Sequence, residues 1–76
     1  MEKIYEILEN IRPEFDFKTS NDFIEDGYLD SFDMVSLVSD LEAEYDCFID
    51  ALDILPENFN TVEHIIDVVK KNGGHI

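Results

Sequence analysis

The chain has 76 residues, with 19 acidic side chains against 5 basic ones and a formal net charge of −14. That length supports one domain, with little room for a deep catalytic cavity. The charge argues against nucleic acid and anionic membranes as partners, because phosphates are bound by Lys and Arg, and it favours basic protein surfaces and a monomeric state.

The composition is that of a folded chain. Its apolar fraction is 45% and its aromatic fraction 12%, well above what charge-driven disorder carries. A single cysteine, Cys47, permits no internal disulfide, so the fold must rest on its core, as suits a reducing compartment. No apolar run approaches the roughly 20 residues of a membrane span. Acids stand at Glu2 and Glu6, where a signal peptide would have bases and then an apolar stretch. A cytoplasmic location is the expectation.

The spacing of Ile4, Tyr5, Leu8 and Ile11 predicts a helix over 2–11, with Arg12 at the negative end of its dipole and Pro13 ending it. Residues 13–29 lack a long period and form a long connection, which Phe15, Phe17, Phe23, Ile24 and Leu29 are expected to pin, with a turn at Asp26-Gly27. The strongest helix is predicted over 31–46. Met34, Val38, Leu41 and Tyr45, with Leu37 beside them, make an apolar stripe. Asp33, Ser36, Asp40 and Glu44 make a polar one. Residues 47–60 are irregular, with room for one short helix between Asp53 and Asn58 that Leu55-Pro56 keeps short. Asn60-Thr61-Val62-Glu63 reads as a capping box with Asn60 as the cap. Val62, Ile65, Ile66 and Val69 form the apolar face of a last helix, which ends at Lys70-Lys71 before Gly73-Gly74. The prediction is an all-α fold: a small four-helix bundle of three longer helices and one short one. It spans 1–76 as one domain, with 72–76 as a flexible tail.

Two readings stand at Ser31. A serine at the head of an amphipathic helix is commonly its cap. The same position, at the positive end of the helix dipole, also suits a covalently attached phosphate group. Nothing near Ser31 in sequence would make it a nucleophile of its own: there is no G-x-S-x-G elbow, and neither histidine, His64 or His75, lies in the same helix. His64 reads as a solvated helix residue. Cys47 reads as filler, since Asp46 and Asp50 would oppose thiolate formation. Asp22, Asp26, Gly27, Asp30 and Asp33 fall at positions 1, 5, 6, 9 and 12 of an EF-hand-like loop. Ile24 at position 3 and Asp where a bidentate Glu is usual argue against a dedicated calcium site, so no metal is assigned.

The segment Gly27-Tyr28-Leu29-Asp30-Ser31-Phe32-Asp33 resembles the phosphopantetheine attachment motif of acyl and peptidyl carrier proteins, whose heart is Asp-Ser-Leu before a long helix. Here that heart reads Asp30-Ser31-Phe32. With Tyr45-Asp46 ending the helix and Phe59-Asn60-Thr61 opening the last one, the chain looks most like the D-alanyl carrier branch. The resemblance runs through nearly the whole chain. It implies that a phosphopantetheinyl transferase, using coenzyme A and magnesium, attaches 4′-phosphopantetheine to Ser31 Oγ, with Asp30 as part of the motif. It further implies that an adenylating or acyl-transferring enzyme loads the thiol of that arm as a thioester. The protein itself would then catalyse nothing. It would present a tethered group to successive enzymes at high local concentration. D-alanyl, nonribosomal peptide, polyketide and fatty acid pathways all use such carriers. Phe32 in place of Leu, and Ser36 where fatty acid carriers are often acidic, weaken the case for a fatty acid role. Within the family an aminoacyl load, D-alanine being the obvious example, is preferred, with polyketide and nonribosomal pathways left open.

The expected partner face is Asp33, Ser36, Asp40 and Glu44 with Phe32, offered to basic patches through contacts that form fast and release readily. The alternative is a small acidic calcium-binding or interaction module with no prosthetic group.

Overall fold

The computed structural model describes residues 2–75. Its regular elements, among the described residues, are three α-helices: α1 (Glu2–Ile11), α2 (Ser31–Tyr45) and α3 (Val62–Lys71). The remainder is loops and single 3-10 turns at Phe17–Thr19, Ala51–Asp53 and Pro56–Asn58. The fourth short helix expected between Asp53 and Asn58 is therefore absent. Two separate turns replace it, because Leu55 sits extended before Pro56 and splits the segment. No helix is long and apolar enough to cross a membrane among the described residues.

Each helix buries one stripe. From α1 come Ile4, Ile7 and Leu8, with Tyr5 and Ile11 only partly covered. From α2 come Met34, Leu37, Val38 and Leu41. From α3 come Val62, Ile65, Val68 and Val69, so Val68 takes the buried place expected of Ile66. The long first loop is stapled down rather than free. Phe17, Phe23 and Leu29 are buried, and Phe17 meets Phe23 edge to face at 5.1 Å. Phe23 also ties the loop to the start of α3, its amide donating to the Asn60 carbonyl at 2.8 Å. The turn at Asp26-Gly27 is present, with Gly27 at φ 76°, a conformation that disfavours any side chain.

The ends of the helices are set by local chemistry. The cap of α3 is Thr61, which accepts from the His64 amide, and not Asn60. Asn60 instead lies 2.6 Å from His64 Nδ1 through its own side chain. Beyond α3 the chain stays attached. Asn72 Nδ2 donates to the Val68 carbonyl and Asn72 Oδ1 accepts from the Asp50 amide, while the Gly73 and Gly74 amides return to Lys70 and Val69. Residues 72–74, expected in the tail, thus lie on the body, and Ile76 falls outside the described residues.

Candidate functional site

The head of α2 is built by Asp30. Its Oδ1 accepts from the Asp33 amide at 2.9 Å, and the Asp30 amide donates to Asp33 Oδ2 at 3.2 Å. The two aspartates form a reciprocal capping box, which satisfies helix-end donors that would otherwise lack partners. Ser31 stands between them as the first helical residue. It is exposed, and its hydroxyl makes no hydrogen bond to the described residues. The cap reading of Ser31 is thereby answered by its neighbour, which does that work.

Arg12 joins this box from the end of α1. Its Nε lies 2.8 Å from Asp33 Oδ2, its Nη2 3.4 Å from Asp30 Oδ2, and its Nη1 3.4 Å from Glu14. The bond from the Asp33 amide, aided by the nearby Arg12 charge, lowers the pKa of Asp30 below its ordinary value. The hydrogen bond and charge of Asp33 raise that of Arg12. The helix dipole is already met by carboxylates here, so its free field for an added anion is smaller than an uncapped helix would offer.

Asp33 is not on the open face. It is 5% exposed, beneath Arg12, and so is withdrawn from the expected partner set. The reason is visible in its spacing, since Asp33, Leu37 and Leu41 fall on one row of the helix, four residues apart. Ser36 is partly covered, and Asp40 and Glu44 are exposed, with Glu44 3.6 Å from Lys3. Phe32 is 78% exposed, beside Ser31. Val35, one turn along from it, is 65% exposed and was not among the expected partner residues. Its signal was an apolar residue lying off the stripe of Met34, Leu37, Val38 and Leu41. Phe48 and Leu52, in the segment after α2, are exposed as well.

The acids of the EF-hand-like segment are engaged by other partners. Asp22 Oδ1 accepts from the Ile24 and Glu25 amides, Asp26 lies 2.6 Å from Ser20 Oγ, and Asp30 and Asp33 are engaged in the box. No group of three or more metal-capable side chains converges among the described residues. The polar contact of the His64 ring is with Asn60. Burial, with Glu42 and Asp46 nearby, pushes the Cys47 thiol up, away from the reactive thiolate.

No family model matches this chain, and no solved structure matches it at a significant level.

Proposed function

We propose that this protein is a carrier of acyl or aminoacyl groups, held as thioesters on 4′-phosphopantetheine attached to Ser31. The observation that carries the reading is the division of labour at the head of α2. Asp30 caps the helix, and Ser31 offers an exposed hydroxyl that makes no hydrogen bond among the described residues. That is the state a side chain needs if a transferase is to reach it. The Leu29-Asp30-Ser31-Phe32 motif and the order of the helices support the same reading.

The chemistry belongs to the partners. A phosphopantetheinyl transferase would direct Ser31 Oγ at the β-phosphorus of coenzyme A. The new P–O bond forms as the bond to the 3′,5′-ADP leaving group breaks, and the hydroxyl proton passes to a base of the transferase. An adenylating or acyl-transferring enzyme would then load the terminal thiol. The chain itself contributes a rigid base for the tether and a surface for docking.

The docking face is mixed. Phe32 and Val35 supply an exposed apolar patch next to Ser31, and Asp40 and Glu44 supply charge further along α2. An apolar contact with a basic rim on the partner fits both, and it fits a net charge of −14 that opposes pairing with a second copy. An aminoacyl load is the preferred cargo, on the resemblance of the Leu29-Asp30-Ser31-Phe32 segment to the D-alanyl carrier branch, and Phe32 and Ser36 weaken the fatty acid case.

Intact-protein mass spectrometry tests the reading, after incubation with coenzyme A, magnesium and a broad-specificity phosphopantetheinyl transferase. One phosphopantetheine gained by the wild type and none by Ser31→Ala is the expected result. No gain by folded wild type, with a known carrier labelled alongside, would sink it.

A further inference from the structure

We infer that Arg12 is a positioning residue for Ser31: it clamps the Asp30–Asp33 box and so holds the head of α2 in the form that the modifying enzyme reads. This rests on the Ser31 reading above.

The geometry is specific. Asp33 Oδ2 receives two donors, Arg12 Nε at 2.8 Å and the Asp30 amide at 3.2 Å. Arg12 Nη2 lies 3.4 Å from the other carboxylate of the box. One guanidinium thus bridges both aspartates, which face each other across Ser31. A planar fork with fixed donors can do this, whereas a lysine ammonium has one point of charge to offer.

The electrostatics favour such a bridge. Two carboxylates within one turn repel each other, and Glu14 adds a third. The chain has 5 cationic side chains for 19 acids, and one of them is placed here. Asp33 is also buried, so losing Arg12 would strand a carboxylate in a site it tolerates only when paired. Asp33 would then turn outward toward solvent, which weakens its hold on the Asp30 amide and loosens the backbone on which Ser31 sits.

Arg12 is itself held. It follows the last residue of α1, its amide donates to the Leu8 carbonyl at 2.9 Å, and Pro13 restricts its backbone. The clamp therefore couples the end of α1 to the start of α2 across the long loop. From its position in the sequence, Arg12 serves only the dipole of its own helix.

The test compares wild type, Arg12→Gln and Arg12→Lys in two measurements. The first is amide hydrogen exchange, read at Asp30 and Asp33 with α3 as the internal reference. In Arg12→Gln both box amides should exchange about tenfold faster with α3 unchanged, as expected for losing a charge-assisted bond. The second is steady-state modification of Ser31 by the transferase. Its kcat/KM should fall about tenfold in Arg12→Gln, carried by KM, with kcat within about twofold. Arg12→Lys should be intermediate in both, and it serves alone should Arg12→Gln fail to fold. Box amides that exchange at wild-type rates would overturn the clamp, whatever Ser31 does. Faster exchange with unchanged KM and kcat would leave the clamp and overturn the positioning role. Wild type that takes no phosphopantetheine would overturn the Ser31 reading and the positioning role together, and the exchange data would still report on the clamp separately.

Discussion

The rings of Phe15 and Tyr28 stack face to face, 4.4 Å between centroids and 6° from parallel. They lie near opposite ends of the long first loop, so the stack closes that loop on itself. Phe17 sits against the same Tyr28 ring edge-on, at 5.5 Å. A connection without regular structure is thereby held by aromatic packing, and Asp30 and Ser31 are delivered at its end.

Removing one ring should open this closure. Tyr28→Ala should destabilise the protein by about 2 kcal/mol, since a half-buried aromatic loses both burial and its stacking contribution. Tyr28→Phe keeps the ring and should stay within about 0.5 kcal/mol of wild type. Chemical denaturation of the two variants is the check.

Ser31 and Asp30 should separate cleanly in a melting experiment. Ser31→Ala should change stability by no more than about 0.5 kcal/mol, because no bond among the described residues depends on that hydroxyl. Asp30→Ala removes the cap and should lower the melting temperature by several degrees, whereas Asp30→Asn should recover most of the loss. A large loss in Ser31→Ala would show that the serine has a structural duty after all.

Acid should act through Asp53. Lys71 Nζ lies 2.7 Å from its Oδ1 and Asn72 Nδ2 3.2 Å from its Oδ2, and these bonds hold its pKa below the ordinary 3.8. A carboxyl with a lowered folded pKa contributes stability above its unfolded value, and that contribution is lost as pH falls through the folded one. Asp53→Asn should therefore melt below wild type at neutral pH, with the gap closing as pH falls below about 4. At the alkaline end the pKa of Lys71 is raised, so its share persists below its ordinary 10.5 and fades as pH climbs through the higher folded value. Melting curves of the pair across pH test both signs.

Salt should stabilise the fold. A net charge of −14 on 76 residues strains the compact state by self-repulsion. Raising ionic strength to about 0.15 M brings the screening length to about 8 Å, and the melting temperature should rise by a few degrees. Magnesium should do the same at lower concentration. A flat response across ionic strength would count against this account.

Much of the local structure is legible in the chain. The bounds of α1 and the end of α3 follow from apolar spacing and from Pro13 and the Gly73-Gly74 stop. The second glycine has a further reason: a Cβ at Gly74 would collide with the Val69 side chain. The aromatic residues expected to pin the loop do so, Phe17 and Phe23 most fully. Other features were not legible because they depend on competition between neighbours. Asn60 and Thr61 are both able caps, and only the register of the chain entering α3 decides for Thr61. One apolar turn reads alike as a helix or as 3-10 turns, so 47–60 could not be divided in advance.

At the candidate site, the serine-headed helix, its acidic neighbours and the net charge are legible from the residues alone, since these are properties of residue type and spacing along one element. Which aspartate caps, which is buried, and where Arg12 reaches were decided by the tertiary structure. Those outcomes depend on how the end of α1 meets the head of α2, with Arg12 and Asp30 18 positions apart in the chain. Hydrophobic periodicity reports the face a helix buries, but it is silent about which charge from elsewhere will lie against that face. Asp33 is the clearest instance. Its polarity placed it with Ser36, Asp40 and Glu44 on the surface, and packing against Arg12 placed it inside, where a carboxylate is tolerated because its partner comes with it.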